Sequence, residues 1–245
     1  MTHVADFFKI LYQDDNLIAI DKPPGLLVHR SPIAKHETEF AVQLLRDQVG
    51  RYVYPVHRLD RPTSGVLLFT FSPELVSAIG AQWMQKQVRK EYTAIVRGFV
   101  TGAGLIDYEL SFKRDKFADK GKHLNNAPQP ACTEYHGLEN FVIPHPVGRY
   151  ESARYALIKL NPITGRKHQL RRHLAHIRHP IIGDTTHGDG KQNKFLREHF
   201  GFQQLALSCT RLTFLHPIAN RSCSITCQPH ADMIKLLADW QQFKQ

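Results

Sequence analysis

Acidic side chains are the scarce charged class in this chain: 22 Asp and Glu stand against 32 Lys and Arg over 245 residues, a formal charge of +10. That imbalance favours a polyanionic partner, of which nucleic acid is the commonest, although a basic balance also serves solubility alone. Long apolar runs are missing. None approaches the roughly 20 residues needed to cross a bilayer, and Met1 to Lys9 contains Asp6 and no signal-peptide core, so a cytoplasmic, soluble protein with no membrane partner is expected. Cysteine is sparse, and Cys132, Cys209, Cys223 and Cys227 never fall at the Cys-x-x-Cys spacing of a zinc ribbon or redox pair. Alternation of Cys223, Ile225 and Cys227 along a strand-like stretch casts these thiols as small buried side chains. A phosphate-binding P-loop is absent too, because neither Gly-Lys pair is followed by Ser or Thr.

What is present is enough for a core, with 42% hydrophobic and 22% charged residues. Phe8 to Gln13 and Leu17 to Ile20 are β-prone runs separated by Asp14-Asp15-Asn16, which reads as a hairpin ending at Pro23-Pro24-Gly25. Thr38 is placed to cap a helix carrying Val42, Leu45 and Val49 before Gly50. Ser72 and Pro73 start a second helix with a Leu75, Ile79, Trp83 stripe. Between them Val66-Leu67-Leu68-Phe69 reads as a strand buried on both faces. Tyr92 to Arg97 and Tyr155 to Leu160 read as further strands, Lys167 to Ile177 as a helix, and Met233, Leu236, Leu237 and Trp240 as the stripe of a C-terminal helix. Residues 111–130 and 184–201 read as basic loops. Strands and helices interleave without a regular βαβ repeat, so the class is α+β, a mixed sheet with helices packed on it.

The segment His57-Arg58-Leu59-Asp60-Arg61-Pro62-Thr63-Ser64-Gly65 stands directly before the buried apolar run. An aspartate between two arginines is held ionised at neutral pH and serves as a nucleophile or base, but the same cluster also makes a structural turn with local ion pairs. His-Arg-x-Asp is shared with protein-kinase catalytic loops, yet Gly-x-Gly-x-x-Gly and Asp-Phe-Gly are both missing, which excludes a kinase.

These nine residues resemble the central motif of the RluA-type pseudouridine synthases. Four further segments resemble the same family in order: Lys22-Pro23-Pro24-Gly25, Lys90 to Gly98, Thr164-Gly165-Arg166-Lys167-His168-Gln169-Leu170-Arg171, and His179 to Asp184. The resemblance spans about residues 8–228. It implies the pseudouridine synthase fold, a mixed, largely antiparallel central sheet with flanking helices and a basic active-site cleft. It also implies a single catalytic domain over 1–245, with no separate N-terminal RNA-binding domain. The reaction needs no redox change and no external energy, so no cofactor is expected.

The resemblance carries Asp60 over as the essential carboxylate, Tyr92 as the aromatic against the target base, and Arg171 as the ion-pair partner of Asp60. Leu170 is expected to line the uracil pocket, and Lys22, His57, Arg61, Thr63, Arg166 and His168 to bind substrate. A stacked uridine must be extruded before reaction, and the planar guanidinium of Arg58 suits the vacated space, with a salt bridge as its competing role. Segments 116–120, 129–131 and 173–180 resemble members that act on uridine 65 in the T-stem of tRNA, which makes tRNA the expected partner; no protein partner is implied. The histidines His168, His173, His176 and His179 lack the spacing and acidic company of a metal site. Within the family the alternative is a synthase for another tRNA or rRNA position; a non-catalytic RNA-binding protein on the same fold and a metal-free hydrolase using Asp60 are the alternatives from other classes, and the hydrolase lacks an evident paired carboxylate.

Overall fold

The computed structural model describes residues 7–30, 38–111 and 127–245. In chain order its elements are β1 (Ile10–Gln13), β2 (Leu17–Lys22), α1 (Ala41–Val49), β3 (Tyr54–Pro55), β4 (Ser64–Thr70), α2 (Pro73–Met84), β5 (Arg89–Arg97), β6 (Ala103–Asp107), β7 (Cys132–Ile143), β8 (Ala153–Pro162), α3 (Gln169–His176), α4 (Gly190–Phe200), β9 (Leu207–Leu215), β10 (Ser222–Thr226) and α5 (Ala231–Trp240). They form two compact units. The first comprises Met1–Lys90, Ser111–Pro128 and Thr210–Gln228, and the second Glu91–Leu110, Gln129–Cys209 and Pro229–Gln245. Among the described residues, no helix is long and apolar enough to cross a membrane.

In the first unit the β1–β2 hairpin turns on Asp14, whose Oδ1 accepts the N–H groups of Asn16 and Leu17, both at 2.8 Å. Its Oδ2 accepts from the Tyr12 hydroxyl at 2.5 Å and from His216 Nε2 at 2.8 Å. Strand β2 then pairs antiparallel with β4, with Asp21 opposite Val66 and Lys22 opposite Gly65. All seven residues of β4 are buried, as its continuous apolar run requires. Helix α2 follows from Ser72 and Pro73, and its expected stripe faces inward at Ile79. Thr38 does not cap α1: the N-cap position belongs to Phe40, which offers no capping side chain, and Gly50 closes the helix in the left-handed conformation. Burial of Ala41 and Leu45 thus outweighs the missing cap.

The second unit is built on β5, β8, β7 and β6, each antiparallel to its neighbour. Trp240 of α5 is fully buried and stacks on Tyr155 at 4.6 Å between ring centroids. The stretch 184–201, expected as a loop, holds α4. Asp189 caps it by accepting the N–H groups of Lys191 and Gln192 at 2.9 and 3.2 Å, and Gly201 ends it. Its polar sequence hides an i, i+3, i+4 face of Gln192, Phe195 and Leu196. The basic residues Lys113, Arg114, Lys116, Lys120 and Lys122 of the other expected loop lie outside the described residues. Of the cysteines only Cys209 is buried; Cys132, Cys223 and Cys227 are half-exposed, Cys223 on β10, whose described pairing is with β9, and Cys227 just past its end.

Candidate active site

Asp60 lies on the loop leading into β4, and that loop is locked from behind by a buried lysine. Lys22 has no exposed surface, and its Nζ donates to the carbonyls of Pro23 at 2.8 Å, Leu26 at 2.9 Å and Arg61 at 3.2 Å. Gly25, at φ +85° where a Cβ would be strained, donates its N–H to the Arg61 carbonyl at 2.9 Å. Arg61 Nε returns a bond to the Gly25 carbonyl, also at 2.9 Å. The Lys-Pro-Pro-Gly turn and the Asp60 loop are therefore one hydrogen-bonded body. Thr63 is buried, and its N–H closes the turn on the Asp60 carbonyl at 3.0 Å. Burial pushes the Lys22 ammonium down to about 7, while the Asp60 charge draws it back up.

Lys22→Met should therefore strand the Pro23 and Leu26 carbonyls, leave the Arg61 carbonyl with the Gly25 N–H alone, and loosen the loop. We expect a loss of about 2–4 kcal/mol, since each buried unsatisfied group costs about 1–3 kcal/mol. The urea midpoint measures it, and a loss under about 1 kcal/mol would contradict this role.

His57 stands beneath the same loop. Its Nε2 accepts the Leu68 N–H at 3.1 Å, and its ring stacks on Trp83 at 5.2 Å. An accepting Nε2 is unprotonated, so the ring is neutral. Burial, assisted by the Lys90 charge, holds its pKa down to about 3. Its described contacts seat the loop, and the substrate-binding role expected for it gains no geometry of its own. A folded pKa below the unfolded value of 6.5 contributes stability that is present above pH 6.5 and lost as pH falls toward about 3. In His57→Gln, which keeps an acceptor but does not titrate, the drop in unfolding free energy between pH 7 and pH 4.5 should be smaller than in wild type. An identical drop would remove His57 from the acid response.

Arg58 is exposed, and no acid pairs with it among the described residues, so the competing salt-bridge role finds no partner there. Partial burial, and then the Arg58 charge, hold the His29 imidazole below its usual range.

In the second unit, Tyr92 sits on β5 opposite Leu160 and is 8% exposed. Arg171 and Leu170 lie on α3, exposed by 4% and 7%. The Arg171 guanidinium grips Asp184 with a two-pronged contact, Nε to Oδ2 at 2.7 Å and Nη2 to Oδ1 at 2.8 Å. Asp184 is 2% exposed and also accepts the N–H groups of Thr186 at 2.8 Å and His187 at 2.9 Å. Burial alone would raise the Asp184 carboxyl; Arg171 and the two N–H groups outweigh it and hold the acid below its ordinary value. The turn before it needs glycine: Gly183 has φ +75°, and a Cβ there would lie 1.7 Å from the Gln204 carbonyl oxygen. In the sequence Asp184 is only the last residue of a motif, with no role attached to it. The available signal was an acid following the apolar Ile181-Ile182, where burial demands a cation.

The loop before α3 is organised by Gln169. Its Oε1 accepts from the Thr164 hydroxyl at 2.7 Å and the Arg166 N–H at 3.0 Å, while Nε2 donates to the Cys132 carbonyl and Thr133 Oγ1, both at 2.9 Å. Arg166 is exposed, with Nε on the Pro130 carbonyl at 3.1 Å. His168, at φ +54°, meets His187 at 3.1 Å between Nδ1 and Nε2. The remaining motif histidines hold backbone or rings: His173 bridges Thr133 Oγ1 and the Tyr108 carbonyl at 3.0 Å each, His176 stacks on Tyr108 at 3.6 Å, and His179 meets the Arg97 carbonyl at 2.9 Å. Among the described residues no cluster of His, Cys, Asp and Glu is arranged to hold a metal ion.

Lys22, His57, Arg58, Asp60, Arg61 and Thr63 thus share the first unit, and Tyr92, Arg166, His168, Leu170 and Arg171 the second.

A family model described as RNA pseudouridylate synthase matches residues 16–176. The chain is 52% identical over 235 residues to tRNA pseudouridine synthase C of Pasteurella multocida, covering 95% of this chain and 96% of that protein. It is 51% identical over 218 residues to tRNA pseudouridine synthase C of Haemophilus influenzae, covering 89% and 91%. Among solved structures, human RNA pseudouridylate synthase domain containing 4 superposes with a TM-score of 0.67 at 26% identity over 94% of this chain and 91% of that one. Human RNA pseudouridylate synthase domain containing 1 shares the fold, with a TM-score of 0.72 at 22% identity over 97% and 89%. The chain belongs to the RNA pseudouridylate synthase family.

Proposed function

We propose that the chain converts uridine 65 in the T-stem of tRNA to pseudouridine in the cytoplasm, without a cofactor, using Asp60 as its carboxylate and both units as one catalytic domain. The observation that carries this reading is the Asp60 loop, pinned by Lys22 and Gly25, in a chain that matches proteins named for tRNA pseudouridine synthesis over nearly their whole length.

The isomerisation breaks the bond between C1′ and N1, turns the uracil, joins C1′ to C5 and releases the C5 proton, while N1 takes up one proton in its place. Atoms and electrons balance within the nucleotide. Asp60 either adds to the nucleoside or removes a ribose proton; in both cases it must be ionised, and its carboxylate must not drift. In this reading Tyr92 packs against the base, Leu170 lines its pocket, and Arg171, oriented by Asp184, supplies a fixed positive charge to the reaction. Extruding the uridine costs a few kcal/mol, and exposed Arg58 is the group to fill the gap by stacking and phosphate contact. Arg166 and His168 extend the contact along the RNA.

Carbodiimide mapping of tRNA after incubation with the enzyme tests the site. We expect one new pseudouridine, at position 65; a modified position elsewhere in the tRNA would reject the assignment while leaving the isomerase intact.

A further inference from the structure

At the far end of β5 from Tyr92, the second unit gathers cations and exposed aromatic rings on one surface. Arg97 is five residues along the strand from Tyr92, about 17 Å at 3.3 Å per residue. The turn Val147 to Tyr150 is closed by the Val147 N–H on the Tyr150 carbonyl at 3.0 Å, with Gly148 at φ +67°. On this turn Arg149 Nη2 donates to the Tyr150 hydroxyl at 2.9 Å, and its guanidinium lies 5.1 Å from the Tyr150 ring. On β8 the Arg154 guanidinium lies 5.3 Å from the Phe99 ring. Tyr150 is 48% exposed and Phe99 38%. The hydroxyl bond from Arg149, and the charges of Arg149, Arg97 and Arg154, hold the Tyr150 phenol below its usual range. Lys191 adjoins the turn: a Cβ on Gly148 would lie 3.8 Å from its Cδ.

Acid does not balance this group. Asp189 pairs with Arg97 at 2.9 Å and is already committed to capping α4. Glu151 adds one further exposed acid by sequence. No ion pair holds Arg149, Arg154 or Lys191 among the described residues. Covering two exposed rings does not account for the cluster, since a guanidinium over a solvated ring is worth only about 0.5–1 kcal/mol and neighbouring cations repel. Guanidinium forks match phosphate oxygens in pairs, and the exposed ring faces accept a ribose or a base.

We propose that Arg97, Arg149, Arg154 and Lys191, with Tyr150 and Phe99, form a polynucleotide phosphate-binding site that holds the substrate RNA backbone away from the target uridine. The proposal rests on the RNA-substrate reading above. It makes RNA affinity depend on a surface remote from the reacting base.

Binding of a tRNA transcript by Arg149→Ala/Arg154→Ala, read by fluorescence anisotropy from 50 to 300 mM KCl alongside tritium release, tests it. The expected result is a Kd roughly tenfold higher, a log Kd against log salt slope reduced by about two, KM raised and kcat preserved. Arg149→Lys/Arg154→Lys should keep most of the slope. If the alanine variant does not fold, Lys191→Glu, on an exposed side chain, must weaken binding in the same salt-dependent way. Unchanged Kd and slope, or a fall in kcat at constant Kd, would overturn the site and point the patch to an acidic protein. A wild-type enzyme that binds tRNA through this patch but releases no tritium would instead sink the catalytic reading, so the two failures are distinguishable.

Discussion

Asp60→Asn is expected to lower single-turnover pseudouridine formation by on the order of 10⁴-fold or more, while RNA affinity and the folded circular dichroism spectrum hold. Asparagine preserves the shape of the side chain, and the loop that carries it is held by backbone partners. The Asp60 carbonyl receives the Thr63 N–H, and Lys22 and Gly25 hold the neighbouring Arg61 carbonyl. Those bonds survive the substitution. What is lost is negative charge and basicity, which both candidate roles of the carboxylate require. A secondary effect has a known sign. Asp60 raises the Lys22 pKa against burial, so its neutralisation should lower that pKa further. Residual turnover above about a tenth of wild type in a folded variant would remove Asp60 from the chemistry.

Asp184→Ala is expected to cost about 3–5 kcal/mol of stability, the penalty for removing one member of a buried, two-pronged ion pair. Arg171 is 4% exposed and Asp184 2%, so solvent does not replace the lost partner. The Thr186 and His187 N–H groups lose their acceptor in the same step. Because the folded carboxyl lies below its unfolded value of 3.8, its contribution is present above pH 3.8 and lost as pH falls through the folded value. The variant should lack that part of the acid limb. Urea unfolding at neutral pH gives the free energy, and single-turnover rates at a temperature where the variant stays folded report whether Arg171 has lost its aim. A loss under about 1 kcal/mol together with a wild-type rate would show that Arg171 is neither stabilised nor positioned by Asp184.

The elements legible in the sequence are those whose own residues carry the signal. The run Val66 to Phe69 could be little other than a buried strand, and the stripes of α2 and α5 announce their inward faces. Helix α4 was obscured because its charged residues outnumber its apolar ones, and its start depends on an Asp189 cap rather than on hydrophobic period. Strand β7 mixes Glu134, His136, Glu139 and Asn140 into its twelve residues; pairing with β8 and β6 holds it, and pairing partners are not local information.

The site divides in the same way. Asp60, Tyr92 and Arg171 were named through motif resemblance. The grip of Asp184 on Arg171 spans 13 residues and depends on the Gly183 turn, where only glycine fits against the Gln204 carbonyl, and no local rule supplies it. Lys22 shows the reverse case. Its place in a motif suggested substrate contact, yet it is fully buried and spends its protons on three carbonyls. A lysine next to Pro-Pro-Gly gives no warning of that, because lysine is almost never fully buried.

The central claim, that this chain isomerises uridine in tRNA, is tested most directly by tritium release from transcripts carrying 5-tritiated uridine, with tRNA and ribosomal RNA offered separately. The account expects wild-type enzyme, with no added cofactor, to release about one equivalent of tritium per tRNA and none from ribosomal RNA. Folded enzyme that binds both RNAs and releases tritium from neither, or from ribosomal RNA alone, would contradict it.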